Sequence, residues 1–301
     1  MKKTIAAALI LTTTTATASD IMLSKSIKPA LRHNIEKDLN LIENFRFSQN
    51  ASAETLKVMG LSSLNAESAT DWLNDRVSYI VSEKALSLYS LLVKRVIFVD
   101  QKDVEFPNQN IIPYSIDKLQ AKEESFTVMS NIGAALYIGG KKEKQVYGMR
   151  VSRGLLRKAE KVAVKSPRAG IIQIGEGLFA PELTVNNSNP ESMANSIFRL
   201  GTFFHEARHS DGNGKSLSFL HISCPTGHDY EGQPACDENL NGPYTIGTVM
   251  MAEMSKACDE TCSEKDKETL KILVLDSANR ILTKTHKGEK STVWDANPEG
   301  I

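Results

Sequence analysis

The chain has 301 residues, and its 36 basic residues balance its 36 acidic residues, so the formal net charge is zero. This balance excludes a strongly basic surface of the kind that binds nucleic acid. A hydrophobic content of 41% and a charged content of 24% are ordinary for a soluble globular protein, and the length accommodates one large domain or two modest ones.

The start of the chain has the pattern of a secretory signal peptide. Lys2 and Lys3 form a basic region, a neutral to apolar stretch covers residues 4–15, and Ala16-Thr17-Ala18 is an A-x-A cleavage site. The apolar stretch is too short to span a bilayer, and no later segment has the run of about eighteen apolar residues that a spanning helix needs. We therefore expect residues 1–18 to be removed and the mature protein to be exported, to a bacterial periplasm or to the medium, without a transmembrane segment.

The region before residue 180 is predicted to hold helices first and strands afterwards. Apolar residues recur at intervals of three and four, as on one face of a helix, over residues 27–47 and 71–92. Runs of β-branched and aromatic residues predict strands, which cover residues 93–99, 126–138, 144–151 and 169–179. This order indicates an α+β arrangement, with a mixed, mostly antiparallel sheet.

The sequence also predicts how some of these segments are arranged. Residues 126–138 and 144–151 should pair through a glycine-containing turn, and residues 155–164 should form a short helix. The strand at residues 169–179 is either an exposed edge, to which an extended peptide could add by backbone pairing, or a plain core strand.

Residues 205–209 read His-Glu-Ala-Arg-His, the H-E-x-x-H pattern. On a helix, His205 and His209 lie on one face, about 5–6 Å apart at Cβ, where two imidazoles can share one tetrahedral Zn²⁺. Glu206 is then placed to act as general base on a water. The opposite side of this helix carries an apolar stripe that should face the core. The stripe consists of Met193, Ile197, Leu200, Phe204 and Ala207. The sequence Asn189-Pro190-Glu191 predicts the start of the helix.

This motif resembles the metal-binding helix of the zincin metallopeptidases. The resemblance covers the motif helix and at most the strands before it, which is under a third of the chain. It implies a catalytic domain of a sheet and helices, zinc held by His205 and His209, and Glu206 as general base. In the metzincins the motif continues with a glycine and a third ligand. Here Gly212 is present, but the ligand position is Lys215, which cannot bind zinc while charged, so the third ligand has to lie elsewhere.

The four cysteines lie after the motif, and their even number in an exported protein indicates disulfides. Of the three possible connectivities, we expect the two local ones, Cys224–Cys236 and Cys258–Cys262. The competing interpretation is a thiolate metal site, because the last two cysteines also have a spacing that metal ligands use.

His228 is the leading candidate for the third zinc ligand. It lies in a turn-rich loop that the Cys224–Cys236 disulfide would hold over the helix, and histidine is the commonest metal-binding side chain. His221 shares this loop and is an alternative ligand. Asp229 is another, because it lies in a segment loosely similar to one in the aspzincin peptidases.

Glu253 is the fourth candidate, on a helix that begins at Asn241-Gly242-Pro243. Gluzincins take their third ligand as a glutamate from a second helix. Glu253 falls in the middle of the apolar stripe of its helix, and a buried carboxylate requires a cation or strong donors. The partner could equally be Arg208 or a lysine. Tyr230 and Tyr244 are either packing residues or donors of a hydrogen bond to an oxyanion.

A capping box, Ser263-Glu264-Lys265-Asp266, begins a last amphipathic helix that should extend to about His286. The predicted organisation is therefore a signal peptide at residues 1–18, a helical region at 19–92, a zincin-like catalytic domain at 93–286 and a loose tail at 287–301.

Two functions are consistent with these features. The first is an exported zinc metallopeptidase that hydrolyses peptide bonds through a zinc-bound water activated by Glu206, on a protein or peptide that could belong to the cell wall. The second is an exported envelope or binding protein with a structural zinc site, closed by a fourth protein ligand. A chance occurrence of the motif without any metal is the third interpretation.

Overall fold

The structure is a computed structural model that describes most of the chain outside its ends and outside a central region. The described residues are 19–25, 27–48, 51–82, 89–92, 129–131, 146–153, 160–165, 170–180, 184–211, 219, 221–258 and 261–282. The predicted signal peptide, the predicted strand at residues 93–99 and the predicted tail at 287–301 lie outside them.

Six α-helices are present in the described residues, and most of them begin at a recognisable cap. They are α1 (Pro29–Glu43), α2 (Ala53–Met59), α3 (Ala66–Asn74), α4 (Met193–His209), α5 (Pro243–Ser255) and α6 (Glu264–Asn279). The Ser263–Asp266 capping box is present at the start of α6, as the sequence predicts. Proline occupies the first position of α5, where its missing N–H costs nothing.

The described strands form three small sheets. The strands are β1 (Met22–Leu23), β2 (Tyr79–Ser82), β3 (Tyr89–Leu92), β4 (Met129–Asn131), β5 (Val146–Arg153), β6 (Glu160–Lys165), β7 (Ile171–Ile174), β8 (Ile222–Ser223) and β9 (Pro234–Cys236). The largest sheet has the order β1-β2-β7-β4, in which β1, β2 and β7 are parallel and β4 is antiparallel to β7. The other two sheets, β3-β5-β6 and β8-β9, are antiparallel.

The sheet next to the motif helix differs from the sequence prediction in two respects. Two of its three strand pairs are parallel, whereas a mostly antiparallel sheet was expected beside this helix. The strand β7 is paired on both sides, with β2 and with β4, so it is a core strand and has no free edge for a peptide. Its four residues are all buried, which explains their uniformly apolar or amide character.

Several segments differ from the sequence prediction in their secondary structure or in their strand pairing. The helix expected over residues 71–92 ends at Asn74, and β2 and β3 lie within the remaining described part of that range. A short helix was expected at residues 155–164, but the part of this range that the structure describes, from Glu160 on, belongs to β6, which pairs with β5. A hairpin was expected between residues 126–138 and 144–151, but the three residues of the first range that the structure describes form β4, which pairs with β7. Because β1, β2 and β7 share one sheet, residues before position 92 contribute directly to the sheet beside the motif helix.

The core lies around α4, which packs against α1, α5 and β4. The closest approach is between α4 and α5, where Gly201 and Gly247 face each other. A Cβ atom on Gly247 would lie 3.0 Å from Cβ of His205 and 3.1 Å from the carbonyl oxygen of Gly201. The absence of a side chain at Gly247 therefore allows α5 to contact the first motif histidine directly.

A buried ion pair connects α4 to the N-terminal helix α1. The guanidinium of Arg199 binds the carboxylate of Asp38 through two hydrogen bonds, at 2.5 and 2.9 Å, and both side chains are fully buried. Pairing of this kind offsets the cost of removing both charges from water. None of the helices in the described part of the chain is long and apolar enough to cross a membrane.

Candidate metal centre

The motif histidines lie in the last turns of α4. The hydroxyl of Ser192 accepts a hydrogen bond from the backbone N–H of Asn195 and caps the helix, which therefore begins three residues after the predicted Asn189-Pro190 start. The apolar stripe is buried as predicted apart from its first residue, Met193. His205 is partly exposed and His209 is buried, with ring centroids 5.2 Å apart.

His221 joins this pair from the β8–β9 hairpin. Its Nε2 atom lies 3.1 Å from Nε2 of His205, and its ring centroid lies 4.7 Å from that of His209. One ligand atom from each of His205, His209 and His221 lies within 4.8 Å of the other two. The three imidazoles therefore form a group that can bind a metal ion.

The outward-facing nitrogen of two of these rings is held by an acceptor. Nδ1 of His209 donates to the backbone carbonyl of Phe219, and Nδ1 of His221 donates to the carboxylate of Asp237 at 2.7 Å. Each acceptor is served by a hydrogen on Nδ1, which leaves Nε2 of both rings as the nitrogen available to a metal. This is the tautomer that a metal requires, and such outer partners commonly fix it in metal sites.

Asp237 also fixes the start of α5. It is 1% exposed, and its second carboxylate oxygen accepts a hydrogen bond from the backbone N–H of Tyr244 at 2.8 Å. Gly242 makes room for this carboxylate, because a Cβ atom there would lie 2.4 Å from the oxygen. Asp237 thus connects the third imidazole to the helix that carries Tyr244.

The environment of the motif histidines keeps their rings neutral. Burial lowers the pKa of His205 well below its ordinary value, and the charges on His209, His221 and Arg280 act in the same direction. Burial and the neighbouring His221 also lower the pKa of His209 to about 3, although its hydrogen bond to a carbonyl acts in the opposite direction. Neutral imidazole is the form that binds metal, so neither motif ring has to lose a proton first.

Glu206 brings a carboxylate to the edge of the three-histidine group. Its residue is 7% exposed, and its two oxygens lie 4.0 Å from Nε2 of His205 and 3.9 Å from Nε2 of His209. These distances are longer than hydrogen bonds, so the carboxylate adjoins the ligand atoms without binding them. A group in this position can accept a proton from a molecule held between it and the imidazoles.

Tyr244 lines the same centre from the first turn of α5. Its ring centroid lies 4.5 Å from that of His205 and 4.8 Å from that of His221, and its hydroxyl accepts a 2.8 Å hydrogen bond from Arg280. Burial raises the pKa of Tyr244 to about 12; Arg280 opposes this shift and the charge on Glu206 adds to it. The hydroxyl therefore keeps its proton at neutral pH and can donate it in a hydrogen bond.

The structure does not bring His228 to the motif histidines, which corrects the prediction for the third ligand. Nε2 of His228 donates to the backbone carbonyl of Asn279 at 2.9 Å, and Nδ1 accepts from the N–H of Tyr230 at 3.0 Å. Both ring nitrogens are thus used within the fold. The ring also lies near the sulfur atoms of Cys224 and Cys236, but these form a disulfide and offer no thiolate.

Two other candidate ligands have partners elsewhere. Glu253 is buried, as predicted, but its carboxylate pairs with Lys256 at 2.9 Å and accepts a hydrogen bond from Thr55 at 3.1 Å. The alternative of a glutamate paired with a lysine therefore applies. Asp229 is exposed and accepts a hydrogen bond from the side chain of Asn279. The hydroxyl of Tyr230 is occupied by Asp276, so Tyr244 is the tyrosine at the centre.

The sequence predicts His221 only as an alternative third ligand and does not predict Asp237 as a site residue. Both expected disulfides are present in the structure, Cys224–Cys236 and Cys258–Cys262. The first of them joins two antiparallel strands, in which Ile222 is the partner of Cys236. In that register His221 falls opposite Asp237, the residue that follows Cys236. If the two cysteines were directly opposite each other, His221 would face Asn239, so the pair of His221 and Asp237 follows from the observed register and not from the disulfide alone.

No family model, curated protein or solved structure matches this chain.

Proposed function

We propose that the protein is an exported zinc-dependent peptidase in which His205, His209 and His221 hold the metal and Glu206 is the general base. The observation that carries this proposal is the grouping of three imidazoles, two of them with a pKa far below neutral, beside one buried carboxylate. Export rests on the signal-peptide pattern of residues 1–18.

The donor set supports zinc as the metal. Imidazole nitrogens suit zinc, copper, iron and nickel, and hydrolytic sites with three protein ligands and a carboxylate base commonly use zinc. In a tetrahedral zinc site with Zn–N distances of about 2.0–2.1 Å, two nitrogen ligands lie roughly 3.3 Å apart. The 3.1 Å separation between Nε2 of His205 and Nε2 of His221 is close to that value.

Bound zinc would polarise the scissile carbonyl and lower the pKa of a water towards neutrality. Glu206 removes a proton from the attacking water and delivers it to the leaving amine, because its carboxylate adjoins two ligand nitrogens and is shielded from bulk solvent. Tyr244 keeps its proton at neutral pH and donates it towards the oxyanion that develops on the substrate. Arg280 holds the hydroxyl of Tyr244 in place.

The composition of the ligand group favours a catalytic metal over a structural one. A structural zinc site has four protein ligands, whereas a catalytic site has three and leaves one position for water or substrate. Among the residues that the structure describes, the group contains three side chains. His228, which could have closed the site, uses both ring nitrogens in hydrogen bonds.

The first test is the zinc content of the oxidised, mature chain and of a His205→Ala, His209→Ala double variant, purified without chelators. About one zinc per chain in the parent and none in the variant supports the centre. No zinc in the parent after incubation with excess metal overturns the proposal.

The second test separates catalysis from metal binding. Glu206→Gln should retain zinc and lose hydrolysis of a quenched-fluorescent peptide library, whereas Glu253→Gln, a matched change of a buried glutamate away from the centre, should retain both. Equal activity of the Glu206→Gln variant and the parent would exclude the proposed base. Zinc that is bound without hydrolysis of any peptide would favour the structural alternative.

A further inference from the structure

The Cys224–Cys236 disulfide closes the hairpin whose two ends carry His221 and Asp237, the carboxylate that orients this imidazole. Cys224 follows His221 by three residues, and Cys236 directly precedes Asp237. The disulfide holds the Cα atoms of the two cysteines 5.1 Å apart. Any widening of this pair of strands would separate His221 from Asp237, whose side chains are joined by a 2.7 Å hydrogen bond.

Apart from the disulfide, this hairpin is closed by two short strands and by backbone hydrogen bonds between Cys224 and the end of the connecting loop. The strand β8 has two residues and β9 has three, and isolated two-stranded ribbons are marginally stable in water. Pro234, which pairs with Ser223, has no N–H to donate to the ladder. The connecting loop is largely exposed and contains Gly227 and Gly232 at positive φ, where few other residues are tolerated.

We propose that the Cys224–Cys236 disulfide is a positioning device for the third metal ligand, so that metal affinity at the His205, His209 and His221 group depends on the oxidised state of this pair. The inference rests on the proposed metal centre. His205 and His209 are held by α4 whatever the state of the hairpin, because they are one turn apart on a capped and buried helix. Only His221 depends on the short ribbon, and it contributes one of the three nitrogen ligands.

The second disulfide is a matched control in the same chain. Cys258–Cys262 closes a loop between the end of α5 and the start of α6, and Cys258 is completely buried in the core. Neither of its cysteines belongs to the two groups of potential metal ligands in the described residues. Loss of this bond should therefore change stability without a specific effect on His221.

In this arrangement the centre binds metal tightly only after the Cys224–Cys236 disulfide has formed. Formation of the Cys224–Cys236 bond converts two thiols to one disulfide and releases two protons and two electrons. The disulfide of a thiol oxidoreductase accepts the two electrons and the two protons and is reduced to a dithiol. At the three-histidine centre, the reduced chain then offers mainly the two histidines of α4 to the metal, and the oxidised chain offers all three.

The experiment is a double-mutant cycle read out as zinc affinity, measured by competition with a chromophoric chelator on the full mature chain. Its four proteins are the parent, Cys224→Ser/Cys236→Ser, His221→Ala, and the combined variant. Serine is used because free thiolates would themselves bind zinc. Removal of the disulfide should weaken zinc binding about 10–100-fold, the range typical for loss of support around a ligand. In the His221→Ala background it should change the affinity less than about twofold, because the ligand on which it acts is already absent.

The controls distinguish this mechanism from general destabilisation. Cys258→Ser/Cys262→Ser should keep the zinc affinity of the parent even if its melting temperature falls. If Cys224→Ser/Cys236→Ser fails to fold, the folded Cys258→Ser/Cys262→Ser protein can be reduced with a water-soluble phosphine and its two thiols alkylated with iodoacetamide, so that no thiolate binds zinc, and the affinity should then fall. An unchanged zinc affinity after loss of the Cys224–Cys236 disulfide, or an equal loss of affinity with and without His221, overturns this inference. Neither result contradicts the proposed metal centre. A parent that binds no zinc overturns both.

Discussion

Acidification of the metal-free protein tests the charge state of the buried imidazoles. The pKa of His209 is about 3 in the folded protein and 6.5 when the ring is in water, so the unfolded chain binds more protons between these values. The free energy of unfolding must then fall as the pH falls through this window. From pH 7 to pH 5, His209 alone should remove about 2 kcal/mol, with a slope of about 1.3 kcal/mol per pH unit below pH 5.5. His205 acts in the same direction.

Urea unfolding of the chelator-treated protein at several pH values measures this contribution. Carboxylates also titrate in the acid range, so the informative quantity is the difference between the parent and His209→Gln. That difference should shift by about 2 kcal/mol from pH 7 to pH 5, to the disadvantage of the parent. His33→Gln, at an exposed position on α1, reports the effect of losing an imidazole from the surface. A parent and a His209→Gln variant with parallel pH profiles would refute the reasoning that burial keeps this ring neutral.

Three further changes have defined outcomes. Gly242→Ala should lower zinc affinity about 10–100-fold although Gly242 contacts no proposed ligand, because the added methyl group would displace the carboxylate of Asp237. Asp237→Asn should lower the affinity by a similar factor, because it removes the carboxylate that orients His221. An unaltered affinity of either variant in competition titrations would contradict this role of Asp237. His228→Ala should leave zinc affinity unchanged and cost about 0.5–1.5 kcal/mol per lost hydrogen bond in urea unfolding, whereas a large loss of zinc would restore it as a ligand. Asp38→Ala should cost about 3–5 kcal/mol of unfolding free energy, because it leaves the guanidinium of Arg199 buried without its partner; a loss under 1 kcal/mol would mean that water reaches the charge.

The features that the sequence predicted correctly are local ones. The motif helix, the start of α5 at Pro243 and the capping box of α6 each depend on residues within one or two turns of one another. The expected end of α6 near His286 is wrong, because the helix ends at Asn279 and the next residues pair with Asp237 through backbone hydrogen bonds. Such a stop is set by a distant partner and leaves no cap signal in the sequence.

The strands illustrate the same limit. Residues Tyr79–Ser82 form a buried central strand, and a short apolar run of this kind cannot be distinguished from the buried face of a helix by periodicity. The glutamate, alanine and lysines of Glu160–Lys165 have intrinsic preferences for a helix. The structure pairs these residues along β5, and tertiary pairing of this kind overrides weak intrinsic preferences.

The preference for His228 over His221 as the third ligand has a related cause. His228 was preferred because it lies in a turn, and turns often present functional groups. A turn residue, however, also has to satisfy its own polar atoms, and both nitrogens of His228 do so within the fold. His221 directly precedes β8, and Asp237, which directly follows β9, accepts a hydrogen bond from one of its nitrogens and leaves the other for a metal.

Asp237 shows why the two motif histidines and the third one differ in kind. The carboxylate of Asp237 accepts hydrogen bonds from His221 and from the start of α5, and its backbone pairs with Arg280 and Leu282 after α6. The proposed third ligand, His221, is thus placed by a hairpin, a helix start and a helix end that meet only in the complete fold, whereas the two motif histidines need one helix. Because metal bound by all three ligands stabilises only the folded state, zinc should raise the unfolding free energy of the whole chain and not merely that of α4.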